Sequence, residues 1–194
     1  MKEKLTLRNI LICVGAFLGL LVFCLSFADT FKSNIDAAQA TFHNVVWGCK
    51  KVTAIVGGIT KEATMYDAFG IENAGALALP LVGIILVLLS AIGAVVVALF
   101  VKNEKIAKIA LLVCAGLILV GGVFQFFAGA FFPGRVADKM IKEGVITASE
   151  RKYVLEGFKN RHVGAAVIIT GILGILGGAL VAVSQFVPDK KLAK

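Results

Sequence analysis

Four uninterrupted runs of apolar residues constrain this chain more than any other feature. They cover residues 10–28, 75–101, 109–132 and 163–187, and none contains Asp, Glu, Lys or Arg. Charge lies at their margins: Arg8, Asp29, Lys102, Lys108, Arg135, Arg161 and Asp189. A helix of about 20 apolar residues crosses a hydrocarbon layer of roughly 30 Å. Lipid offers the backbone no hydrogen-bond partners, so only helices and closed barrels can span it. Apolar runs that do not alternate select the helix. The expected fold class is an all-α integral membrane protein with four transmembrane helices. Residues 1–194 then form a single membrane domain. Its two large loops, 29–74 and 133–162, lie on one side and build a helical extramembrane domain.

Composition agrees with this expectation. Hydrophobic residues make up 59% of the 194 and charged residues only 16%, against roughly 25% charged in soluble domains. The net charge of +8 does not point to nucleic acid, because the basic residues gather at the ends of the apolar runs, where they set orientation and meet anionic headgroups. The expected partners are the lipid bilayer and a membrane protein, either another chain or a second copy. Cys13, Cys24 and Cys114 lie inside apolar runs and read as small hydrophobes. Cys49 is the single loop cysteine, so no disulfide between loops of one chain is expected.

Lys2, Lys4 and Arg8 followed by an apolar run and Ser26-Phe27-Ala28 also fit a cleaved signal peptide. The run is longer than the usual signal core, and Gly15 and Gly19 form a helix-packing pair, so retention is the expectation. Basic residues number nine on the side of the termini and eleven in the two large loops, which decides nothing. The basic stretch before the first run, with Asp29 after it, favours cytoplasmic termini in a plasma membrane.

In the first large loop, apolar or small residues recur at steps of three and four: Ala28, Phe31, Ile35, Ala38, Phe42, Val45, Cys49, Val52, Val56 and Ile59. That is the spacing of a packed helix, and the loop contains no proline. The expectation is that the first transmembrane helix continues through this seam (Ile35, Phe42, Val45, Val52, Val56) to Gly57-Gly58. The seam needs apolar cover, either from the second large loop or from another protomer. Thr60 and Thr64 are candidate caps of a short helix beyond it.

The second loop reads as a helical hairpin. Val136, Met140 and Ile141 mark one amphipathic helix, Gly144 ends it, and Thr147 to Glu150 is a capping box opening another. Gly144-Val145-Ile146-Thr147 with Glu150 resembles the turn of the SHOCT helical hairpin, over residues 136–158 only. Arg151 stands where that pattern has an aromatic residue. The resemblance implies an interaction hairpin. Trp47-Gly48-Cys49 in a four-span chain also resembles the claudins. The second loop cysteine of that family is missing, however, and a helical seam contradicts a strand-rich loop, so this resemblance is not carried forward.

The runs hold no ionisable residue of the kind that marks proton relays and ion coupling. Gln125 and Gln185 suit interhelical hydrogen bonds, and Gly174 with Gly178 suits close helix packing. His43 and Cys49 do not have metal-ligand spacing, and no nucleophile motif is present. No catalytic, cofactor or metal site is therefore expected. The function read from the sequence is structural, scaffolding or accessory-subunit, with the extramembrane domain presented to partners. The alternatives are a protomer of an oligomeric pore or transporter, and a lipid or hydrophobic-substrate handling protein.

Overall fold

A computed structural model describes residues 6–35, 38–158 and 160–188. Lys2, Lys4 and Asp189, used in the sequence argument, lie outside them. Four helices are long and apolar enough to cross a membrane: Leu7–Ala28 (α1, Leu7–Leu25, with a closing 3-10 turn), Ala78–Phe100 (α3), Glu104–Gln125 (α4) and Ala165–Ser184 (α7). The chain divides into two compact units. One comprises Met1–Cys24, Val82–Phe124 and Ile169–Lys194, the other Leu25–Leu81 and Gln125–Ile168.

The first unit is a four-helix bundle with a thin interior. Ile12, Ala16, Val22, Val87, Ala91, Leu111, Ile118 and Val181 fill it, while large apolar side chains such as Phe17, Leu89 and Ile109 point outward. Glycines set the spacing of the helices. A Cβ on Gly15 would lie 2.6 Å from the Gly177 carbonyl oxygen, one on Gly19 2.9 Å from Ala91 Cβ, and one on Gly174 2.6 Å from Gly122 Cα. A Cβ on Gly178 would meet Leu119 at 2.6 Å and the Ala115 carbonyl at 2.8 Å. Thus α7 packs on α1 and α4, and α1 packs on α3. In a lipid environment helices have no hydrophobic reason to associate, and close backbone approach of this kind is what would hold a bundle of this composition together there. At one end, Arg8 donates to Gln185 at 3.1 Å and Lys108 lies 5.3 Å from the Phe186 ring centroid. The start of α1, the α3–α4 turn and the end of α7 therefore meet there.

The second unit corrects the all-α expectation. The first large loop forms four strands, Thr30–Ile35 (β1), Ala38–His43 (β2), Lys51–Val56 (β3) and Ile59–Thr64 (β4), and Asn160–Val163 of the second loop is a fifth (β5). Together they make one sheet in the order β4-β3-β2-β1-β5, and every neighbouring pair is antiparallel. The helical seam through Ile35, Phe42, Val45, Val52 and Val56 is therefore wrong, for an identifiable reason. Its steps of four at 31–35, 38–42 and 52–56 each lie within one strand, and four is a multiple of the strand period of two as well as about one helical turn. Its steps of three at 35–38, 49–52 and 56–59 each cross a strand boundary. Gly57 and Gly58, at φ 59° and 81°, form the two-residue turn of a hairpin rather than the end of a helix. Val52, Thr53, Ile55, Val56, Ile59 and Thr60 are the β-branched residues such strands favour.

The remaining elements of this unit are short helices. Met65–Phe69 (α2) is capped by Thr64, whose hydroxyl accepts from the Asp67 N–H at 3.1 Å. The expected third span to residue 132 is broken after Gln125, and a new amphipathic helix, Ala128–Lys142 (α5), begins beyond it. Gly144 at φ 74° follows α5. Glu150 then accepts from the Thr147 N–H at 2.7 Å, ahead of Arg151–Gly157 (α6). Hydrogen bonding to Thr147 holds the Glu150 carboxyl below its ordinary pKa, as Thr64 does for Asp67.

Candidate functional site

The sheet unit is built on an aromatic core. Phe31 of β1, Phe42 of β2, Phe132 of α5 and Phe158 after α6 are all fully buried. Phe42 lies at the centre, with ring centroids 5.1 Å from Phe132, 5.6 Å from Phe158, 5.7 Å from Phe69 and 6.1 Å from Phe31. Edge-to-face and offset rings at these distances add attraction beyond the area they bury. Phe158 belongs to the second large loop and packs against Phe31 and Phe42 of the first, so the two loops share one core, which Phe132 of α5 completes.

Beside this core, a cavity of about 660 Å³ opens between residues 76–80, residues 130–135 and the α5–α6 pair. Leu79, Phe131 and Leu155 give it apolar walls, and Arg135, Arg151 and Asp138 give it charge. Arg151 Nε donates to Asp138 Oδ1 at 3.0 Å. Gly75 makes room for the Arg135 side chain, whereas Gly134 lies at ordinary contact distance from Arg151. A Cβ on Gly75, itself at φ 73°, would lie 3.1 Å from Arg135 Nε, and one on Gly134 would lie 3.6 Å from an Arg151 terminal nitrogen. The Gln125 side-chain N–H donates to the Pro80 carbonyl at 2.9 Å, joining the end of α4 to the first turn of α3.

Three further features stand apart from the cavity. The β3–β4 hairpin ends in exposed apolar residues, with Ile55 39%, Val56 52% and Ile59 63% accessible. Asp29 is wholly buried, and among the described residues neither carboxyl oxygen has a hydrogen-bond partner. Desolvation raises its pKa from 3.8 to about 7. Trp47-Gly48-Cys49 is a structural lock. The Trp47 indole donates to Ser26 Oγ at 2.9 Å and stacks on Phe27 at 4.8 Å. Gly48 adopts φ 101°, and the buried Cys49 thiol donates to the Lys51 carbonyl at 3.2 Å. Burial pushes that thiol up to about 11.

The residues singled out from the sequence fall into separate places. Gly15, Gly19, Gly174 and Gly178 lie at helix–helix contacts. Phe42, Val45 and Val52 are buried, Val56 is exposed, and Ile35 ends β1. Arg135, Arg151 and Asp138, which line the cavity, carry no motif that sequence reading could catch, because α5, α6 and residues 76–80 meet only in three dimensions. The hairpin tip did have a signal: Gly-Gly between two β-branched runs is a hairpin pattern. No known protein family matches the chain, and no curated protein is found to be similar to it. The strand-rich first loop removes one objection to the claudin resemblance carried by Trp47-Gly48-Cys49. The missing second loop cysteine remains a departure.

Proposed function

We propose that this chain is an integral membrane protein of structural, scaffolding or accessory-subunit type, which presents its sheet unit to the extramembrane surface of another membrane protein. The observation that carries the reading is the β3–β4 hairpin tip: three exposed aliphatic residues held on an ordered sheet, with Gly57 and Gly58 in open space. Neighbouring apolar side chains left in water on a rigid hairpin are a common mark of an interaction surface. Among the described residues the outer edge of β4 also pairs with no strand, leaving backbone groups that a partner strand could meet. The SHOCT-like segment would offer a second contact, through exposed Val145 and Tyr153. In this reading the termini are cytoplasmic and the sheet is outside.

The test is photo-crosslinking in native membranes with a photoreactive residue at position 59, compared with one at the exposed Glu62 position. The expected result is one discrete adduct from position 59 that survives alkaline carbonate extraction of the membranes and disappears in Val56→Asp. Recovery of the chain in the carbonate supernatant would remove the membrane reading. Crosslinks only to scattered proteins, unchanged by Val56→Asp, would remove the interaction surface.

A further inference from the structure

We propose that the cavity between residues 76–80 and α5–α6 binds an acidic phospholipid of the surrounding bilayer, with the headgroup phosphate at Arg135 and Arg151 and the first part of an acyl chain along Leu79 and Phe131. This rests on the membrane reading above but not on the hairpin partner.

The argument starts from charge. Asp138 neutralises one of the two arginines through the Arg151 ion pair, and among the described residues no carboxylate pairs with Arg135. The cavity thus keeps one positive charge in excess. Arginine presents several N–H donors in a planar fork that matches phosphate oxygens. The Arg135 guanidinium lies over Gly75, where a Cβ would come within 3.1 Å of it, and Arg151 is held by Asp138 at 3.0 Å. The first turn of α3 adds N–H groups without an intrahelical partner at Ala78 and Leu79, and negative charge is favoured there.

The apolar half decides the ligand class. Leu79, Phe131 and Leu155 also line the cavity, and Phe131 is 48% exposed. A free phosphate ion would leave those walls in water, whereas an amphiphile covers them. The volume of about 660 Å³ falls within the roughly 300–1,000 Å³ of small-ligand sites, enough for a headgroup and the proximal part of a chain. Residues 78–80 open one of the four long apolar helices, so in a bilayer they sit at the depth where headgroups give way to acyl chains.

The experiment uses the full chain in nanodiscs of dioleoylphosphatidylcholine containing a small fraction of phosphatidylglycerol with a diazirine in its acyl chain. Illumination and peptide mass spectrometry locate the adducts. They are expected on residues 76–80 and 130–135. Unlabelled dioleoylphosphatidylglycerol should compete, and neither added phosphatidylcholine nor glycerol 3-phosphate should. Arg135→Gln should lower the adduct yield roughly ten-fold, as expected for loss of a charged hydrogen bond, while Lys61→Gln, which removes an equal charge from exposed β4, should not. Adducts elsewhere in the wild-type chain, equal competition by phosphatidylcholine, or an unchanged yield in Arg135→Gln would each overturn the proposal. Competition by glycerol 3-phosphate would also overturn it, in favour of a soluble phosphate site. Wild-type mapping and competition stand whether or not Arg135→Gln folds. A membrane-embedded chain without the adduct sinks the lipid site alone, whereas a chain that does not enter the membrane sinks both readings.

Discussion

Gly15 of α1 and Gly177 of α7 oppose each other reciprocally: a Cβ on the first would lie 2.6 Å from the carbonyl oxygen of the second, and a Cβ on the second 2.8 Å from the carbonyl oxygen of the first. Neither backbone can yield without moving a helix. Gly15→Ala or Gly177→Ala should therefore destabilise the bundle by about 1–3 kcal/mol, the usual cost of overpacking. Gly116, with nothing within 4 Å of its Cβ position, provides the opposite sign. Gly116→Ala should be neutral or stabilising by up to about 1 kcal/mol, because it removes only the helix penalty of glycine. Thermal unfolding of the three variants in one detergent compares them, and equal melting temperatures would disprove the close approach.

Phe42 touches four other rings and is fully buried. Phe42→Ala should cost about 3–5 kcal/mol and expose the sheet unit to proteolysis, while Tyr66→Ala, at a residue 66% exposed, should change little. Limited proteolysis followed by mass spectrometry of fragments between residues 29 and 74 separates these outcomes. A Phe42→Ala chain as resistant as wild type would show that the sheet does not depend on its aromatic centre.

Asp29 makes stability depend on pH. Its pKa is about 7 in the folded chain against 3.8 in the unfolded one, so between these values the folded state holds a proton that the unfolded state has released. Stability is then highest below pH 4 as far as this group is concerned, falls as pH rises to about 7, and is level above that. The whole window corresponds to at most on the order of 4 kcal/mol. Asp29→Asn should flatten the fall between pH 4 and 7 and raise the melting temperature at pH 7.5. A variant that keeps the wild-type slope would place the titrating group elsewhere.

Cys49 should resist alkylation in the folded chain. Its thiol is buried and raised to about 11, so the reactive thiolate is scarce at pH 8. Iodoacetamide should modify it only after denaturation. Cys13 and Cys24 are exposed on α1, and they should react with a lipid-soluble maleimide in preference to a charged one. Peptide mapping before and after denaturation measures both, and rapid modification of native Cys49 would contradict its burial.

Helix content was legible where periodicity was not needed. The four apolar runs are too long and too uniform to be anything but helices, and their ends are marked by charge. Gly144 and the Thr147–Glu150 box were legible because their chemistry is local: a left-handed backbone needs glycine, and a cap needs partners three residues apart. The sheet was not legible from apolar spacing alone, because steps of four fit both a strand and a helix. Thr53, Ile55, Val56, Ile59 and Thr60 around Gly57-Gly58 would have resolved the ambiguity. The cavity was beyond reach for another reason. Arg135 and Arg151 read as solvated charges on a basic loop, and only the meeting of α5, α6 and residues 76–80 gives them a shared wall.

β5 has a consequence for how the molecule is made. It pairs with β1 at Phe31↔Val163 and Asn34↔Asn160, so the strand that completes the sheet is synthesised long after the strand it protects. At roughly 5–20 residues per second, β1 waits several seconds or more with its outer backbone groups unsatisfied. Bare strand edges of this kind recruit other chains. A ribosome that stalls before residue 160 would therefore release a product with the β1 edge uncovered as well as that of β4.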